Sequence, residues 1–226
     1  MLKMKIAVIL GIVLLTLACV GSVSAGGAME NILVNGGFES PQYQGTFTTL
    51  SGGQLDGWNI DKGDIQLINT YWQPHSGSQS IDLSGTVPGK ISQTLNTIPG
   101  ATYEITFWMS SNPDGNSRGQ AVKEMQVSWD GTVLSPTYTY DSTKTSKANM
   151  GWTLVTIPNL KATKTNTVIS FEELSPSGPY GIVLDDIAVI DPPTPAPEFP
   201  GLAVPAVIIV GMLCLVQVAR RSEEQL

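Results

Sequence analysis

Through the middle of the chain, apolar and polar residues alternate with a period of two, in short runs closed by Gly, Pro, Asn and Asp. In 101–109, Tyr103, Ile105, Phe107 and Met109 fall on one side and Trp108 on the other. Met125, Val127 and Trp129 repeat the pattern, as do Thr167, Ile169 and Phe171. A period of two marks a strand with one face in a core. The same reading predicts strands over 58–60, 64–69, 79–83, 91–95, 103–110, 122–129, 132–140, 153–157, 167–172 and 180–190. Asp130-Gly131 between two such runs predicts a tight hairpin. No stretch carries the stripe of an amphipathic helix, and no internal repeat stands out. The predicted fold is an all-β sandwich over residues 26–190.

Two stretches do not fit simple alternation. In 31–39, strand-prone Ile32, Leu33 and Val34 run into Asn35-Gly36-Gly37, a turn or bulge, followed by Phe38, a core candidate, and Glu39. In 180–190, Asp185 and Asp186 interrupt an apolar strand. Adjacent carboxylates in such a strand are costly to bury unless a cation or hydrogen-bond donors satisfy them. If the first and last strands lie side by side, Glu39, a carbonyl loosened near Gly37, and Asp185 or Asp186 converge. That all-oxygen set suits a structural Ca²⁺. Period two sends Asp185 and Asp186 to opposite faces, so one of them is expected at the site. The plainer alternative is surface carboxylates and a capping hydrogen bond.

The ends carry an address. Lys3 and Lys5, an apolar run over 6–20 and the small residues Val23-Ser24-Ala25 read as a secretory signal over 1–25. Residues 191–200 form a Pro-rich linker that holds Pro197, Glu198 and Phe199. The apolar run 201–219 is long enough to span a bilayer as a helix. Arg220 and Arg221 assign the tail 220–226 to the cytoplasm and everything before the helix to the outside. Both cysteines, Cys19 and Cys214, fall in these end segments, so the exported domain is expected to lack a disulfide. Residues 26–196 hold 8 of the 12 Lys and Arg and 16 of the 19 Asp and Glu, a net charge of −8. An acidic domain repels phosphate backbones, which excludes nucleic acid as a partner.

The loops gather polar aromatics. Tyr71 and Trp72, with Gln73 and the single histidine, His75, form the first candidate ligand contact. Trp108, out of phase with its apolar strand, is the second, whereas Trp58 and Trp129 are assigned to the core. Such rings could stack on a sugar while amide and carboxyl groups bond its hydroxyls. A lone histidine rules out a His-pair metal site, and no catalytic residue is assigned. Glu172 and Glu173, adjacent in a strand, point to opposite faces and cannot flank one glycosidic bond. They are read as a solvated face, and a glycan hydrolase is the weakest reading.

Several pieces together resemble the choice-of-anchor C family. They are 33–39, Tyr71-Trp72 with 80–85, 91–94, Pro99-Gly100, 112–115, 148–152 and Leu184-Asp185-Asp186-Ile187. The resemblance implies a galactose-binding-like jelly roll, surface display and possible glycan binding, with Ca²⁺ linking the end strands. The tail resembles the PEF-CTERM sorting signal of archaea, which implies that an archaeosortase-like enzyme acts at Pro197-Glu198-Phe199. The resulting expectation is a non-catalytic, surface-anchored module for glycan, extracellular polysaccharide or a surface-layer component. A structural envelope or adhesion protein with a protein partner is the alternative.

Overall fold

A computed structural model describes residues 30–116, 120–176 and 178–191. The expected signal segment, the linker beyond Asp191 with its Pro197-Glu198-Phe199 motif, the apolar helix and the tail lie outside the described residues. Among the described residues, no helix is long and apolar enough to cross a membrane.

The described residues form twelve strands: β1 (Glu30–Asn31), β2 (Phe47–Leu55), β3 (Trp58–Ile68), β4 (Ser80–Asp82), β5 (Lys90–Asn96), β6 (Thr102–Ser111), β7 (Val122–Trp129), β8 (Thr132–Val133), β9 (Tyr138–Asp141), β10 (Thr153–Lys161), β11 (Asn166–Glu173) and β12 (Ile182–Asp191). Hydrogen bonds join them in the order β10-β6-β12-β4-β3-β5-β11-β7-β8, with β1 on β12, β2 on β3 and β9 on β7. The described pairings are antiparallel. The path folds over at β3, whose first half pairs with β5 through Asn59–Lys62 and whose second half pairs with β4 through Gln66–Ile68. One layer is therefore β10-β6-β12-β4 and the other β5-β11-β7, joined by β3 as a jelly-roll sandwich.

Alternation places the core between the layers. Tyr103, Ile105, Phe107 and Met109 on β6 face Ile169 and Phe171 on β11 and Met125, Val127 and Trp129 on β7, all buried. Phe107 and Phe171 meet edge to face at 5.3 Å across the gap, a favoured aromatic geometry. Trp58 and Trp129 are buried as expected, and Phe38 is fully enclosed against Trp58 at 5.9 Å. The hairpin after β7 turns through Asp130 and Gly131 at φ of 49° and 81°, the backbone a two-residue turn requires.

Three expected elements differ. The strand expected over Ile32–Val34 is replaced by β1, which stops at Asn31. There, after a last backbone bond from Ile32 N to Val189 O at 2.9 Å, the Asn31 side-chain oxygen accepts from Leu33 N and Val189 N. The strand expected over 132–140 divides into β8 and β9, because Pro136 has no N–H to give a ladder. Finally, β2 gave no signal: only Leu50 and Leu55 in it are buried.

Candidate functional site

The first and last strands are neighbours, as expected. Glu30 pairs with Asp191 and Asn31 with Ile190. The carbonyl freed at the 35–38 turn is Gly36's, and it accepts from Ile187 N at 3.0 Å. It is therefore spent on the seam between the two ends of the domain.

Asp185 and Asp186 correct the expectation from alternation. Between Asp185 and Ala188, β12 uses three steps while β6 uses two, from Trp108 to Thr106. The extra residue is a bulge, and Asp186 occupies it at φ 48°. The bulge turns both carboxylates toward one loop, 75–79. Asp185 Oδ2 accepts from His75 N at 2.8 Å and Ser76 N at 3.2 Å. Asp186 accepts from Ser76 Oγ at 2.7 Å and bonds His75 Nδ1 at 2.6 Å. Glu39 takes the far end of the same loop, through Ser78 N, Ser78 Oγ and Gln79 N. A side chain at Gly77, whose φ is 59°, would put its Cβ 2.2 Å from Glu39 Oε1, so only glycine lets the loop pass.

The Asp185 and Asp186 carboxylates and the Glu39 stem lie around Gly37. Its Cβ position would lie 3.4 Å from Asp186 Oδ1 and 4.0 Å from both Asp185 Oδ1 and the Glu39 Cγ. Burial first, then the neighbouring Asp186 charge, pushes Asp185 up to about 7 against three backbone N–H donors. A carboxylate offers about four acceptor sites, so the protein donors leave lone pairs over. The hard-oxygen chemistry fits Ca²⁺. Among the described residues, however, no three His, Cys, Asp or Glu are packed closely enough to form a metal cluster.

Above this clasp lies an aromatic surface. Trp108 projects from the outer side of β6, directly opposite Asp185 on β12 and Leu154 on β10. His75 stacks on it at 3.8 Å and 15°, and the Trp152 ring stands edge-on to His75 at 6.1 Å. The Trp152 indole N–H donates to Gln73 O. Trp108, His75 and Trp152 are half-buried, Gln73 is exposed, and Leu154 is 50% exposed beside them.

Tyr71 and Trp72 do not share this surface. Trp72 is 4% exposed, donates to Ser80 Oγ and packs with Ile68, Met150 and Val183. It offers a ligand no face and instead supports the loop from below. Tyr71 is covered by Lys147 Nζ, 3.7 Å from its ring centroid, and its hydroxyl donates to Asp114. Sequence position could not separate the two roles, because both residues lie in one loop.

A second polar group escaped the sequence reading. Glu173, read as solvated, is 1% exposed, while its neighbour Glu172 lies outside and pairs with Lys62 at 2.8 Å. Glu173 accepts from Ser175 N and Ile182 N. Beside it, fully buried Asp82 accepts from Ser84 N, Gly181 N and Asn112 Nδ2. Buried Lys123 couples to both. Burial pushes Asp82 up to about 7, raises Glu173 and lowers Lys123. The missed signal was phase: Lys123 continues the row Met125-Val127-Trp129, and Glu173 the row Thr167-Ile169-Phe171.

Comparison with known proteins adds three findings. Residues 31–190 match the model of a family described as DUF642, protein of unknown function. Halomucin of Haloquadratum walsbyi is 28% identical over 199 residues, which cover 84% of this chain. The chain spans about 2% of that relative's length. Among solved structures, TmCBM61 in complex with β-1,4-galactotriose is 19% identical, with 72% of this chain and 99% of that one covered and a TM-score of 0.46. The CBM22-1 xylan-binding domain of Paenibacillus barcinonensis Xyn10C is 13% identical, with 76% and 99% covered and a TM-score of 0.46.

Proposed function

The chain belongs to the DUF642 family of proteins of unknown function, and we propose that it is a non-catalytic cell-surface module that binds glycan or extracellular polysaccharide. The observation that carries this reading is the stack of His75 on Trp108, with Trp152 edge-on and Gln73, Ser76 and Asp186 around it. An apolar surface ringed by hydroxyl, amide and carboxylate groups matches the two sides of a sugar ring. The clasp beneath holds His75 by backbone and side chain together, so the platform is organised before a ligand arrives.

Trp108→Ala is expected to weaken binding to a neutral polysaccharide by about tenfold or more, which is about 1.4 kcal/mol. Affinity electrophoresis through gels containing galactan, xylan or glucomannan measures it. A folded variant that migrates like the parent in every gel would remove the aromatic surface from the reading.

Ca²⁺ at the clasp belongs to the same proposal. Glu39, Asp185 and Asp186 would hold it beside Gly37, and the support is the hard-oxygen chemistry of the two aspartates there. The ion would lock the 75–79 loop and the end strands together. Chelation is then expected to lower the melting temperature, and Glu39→Gln to remove most of that calcium dependence. Identical melting with chelator and with added Ca²⁺ would end the idea. Surface attachment through 191–226, with an archaeosortase-like enzyme acting at Pro197-Glu198-Phe199, rests on sequence alone. The intact mass of protein taken from its native membrane tests it.

A further inference from the structure

The face of the sandwich opposite Trp108 carries a trough that runs across the strands. Ser170 on β11 is the direct partner of Ser92 on β5 and of Ser128 on β7. The row continues to Asn59 on β3 and Val133 on β8. Direct antiparallel partners point to the same side of a sheet. Ile169 and Phe171, which flank Ser170, point into the core, so the three serine hydroxyls point outward.

These outward serines are nonetheless only 7%, 7% and 5% exposed. The cause is the height of their neighbours. Two residues along each strand stand Lys90, Glu172 and Gln126, also in register with one another. A row of short side chains beside a row of long ones makes a channel, and the groove here measures about 440 Å³, within the usual range for ligand sites. Among the described residues, the one buried side-chain polar atom without a partner is Ser111 Oγ, elsewhere in the fold; the three serine hydroxyls make no hydrogen bond within the protein and so open to the solvent in the groove. Three solvent-reaching hydroxyls, aligned on adjacent strands at the floor of a groove, offer a row of hydrogen bonds in which a ligand can replace water.

The walls say what kind of molecule that is. Glu172 is already bound by Lys62, Lys90 and Gln126, at 2.8, 3.5 and 3.0 Å. Asp130 is bound by Lys164 at 2.8 Å. An anionic ligand would have to break these pairs and would also face Asp61, an exposed lining carboxylate with no side-chain partner among the described residues. A peptide adding to a strand edge would find the backbone groups of these inner strands already committed to the ladder. What remains on offer is hydroxyl groups on the floor, the Gln126 amide and the Asp61 carboxylate on the walls as partners for ligand hydroxyls, and an apolar strip at the rim, where Val133 and Val168 are 55% and 38% exposed. We infer that this trough is a second binding site, for an uncharged sugar chain laid across the strands. Its contacts are hydrogen bonds, not aromatic stacking. The strand spacing sets the three hydroxyls along roughly 10 Å. The inference deepens the glycan-binding reading and shares no residue with the aromatic face.

The test uses the full-length chain and the same galactan, xylan and glucomannan gels. Ser170→Leu fills the trough from its floor, and Gln126→Ala removes a half-buried donor from its wall without touching the core. Both are expected to weaken binding by about tenfold or more, with the melting transition retained at least by Gln126→Ala. Because the ligand is uncharged, affinity should hold between about 0.1 M and 1 M salt. Folded trough variants that bind like the parent, while Trp108→Ala does not, overturn the trough and leave the aromatic face standing. Loss in the trough variants alone supports the trough and removes the aromatic face. A parent chain that binds none of the three polymers overturns both, and steep weakening by salt overturns the uncharged ligand class.

Discussion

Raising the pH from about 5 to about 8 is expected to lower the melting temperature by roughly 5–10 °C. The cause is the buried polar layer at one end of the core. Asp82 has a folded pKa of about 7 against an ordinary value of 3.8, because burial disfavours its charged form more than its three donors favour it. A carboxylate raised in this way contributes stability that is fully present below its ordinary value and is lost as pH climbs through 7. Over this interval the loss is about 2–3 kcal/mol, at 1.36 kcal/mol per pH unit. Glu173, also raised by burial, acts in the same direction. Lys123, lowered by burial, acts in the opposite sense, its stability returning only toward 10.5. Glu172, held low by Lys62, Gln126 and Lys90 despite partial burial, acts only below about 4.5 and so does not enter. Asp185 at the clasp, also pushed up to about 7 by burial and by the Asp186 charge, loses stability over the same interval. Thermal melts across this range, run in chelator to hold bound metal constant, therefore compare the parent with Asp82→Asn. Asp82→Asn should reduce the slope by about half and leave the share that Asp185 contributes. A parent protein whose melting temperature rises toward pH 8 would show that the layer is not protonated as described.

Gly36→Ala is expected to cost about 3 kcal/mol, or roughly 6–12 °C in melting temperature. A Cβ at Gly36 would lie 1.8 Å from the Ile187 carbonyl oxygen and 2.9 Å from its carbon. Neither atom can step aside, because both belong to the backbone of β12, and Ile187 N is bonded to Gly36 O. The clash therefore prises the 35–38 turn from the last strand, next to the bulge that aims Asp185 and Asp186. Loosening of His75 should follow, with weaker glycan binding than the loss of stability alone explains. Gly53→Ala is the matched control, since nothing lies within 4 Å of its Cβ position, and its effect should stay within about 0.5 kcal/mol. Equal melting of the two variants would refute the close seam between the domain's ends.

Much of the fold was legible because one-sided burial writes itself into a strand as a period of two. The rows Tyr103-Ile105-Phe107-Met109 and Met125-Val127-Trp129, the outward Trp108 and the Asp130-Gly131 turn all follow from that rule. The rule fails where burial is weak or the ladder is irregular. It passed over β2, which buries only Leu50 and Leu55, and it separated Asp185 from Asp186, which a bulge reunites. It also kept Tyr71 and Trp72 together, though one is covered by a lysine and the other by the body of the domain.

By itself the sequence determined an acidic, all-β domain with Phe38 and two tryptophans inside. These features depend on composition, on turn chemistry and on the phase of apolar residues, all of which are local. Tertiary structure alone decided that three carboxylates hold one loop, that His75 lies on Trp108, and that three serines line up across β5, β11 and β7. Those arrangements join residues tens of positions apart through cross-strand register, and register is set by the packed sheets together and not by any one strand.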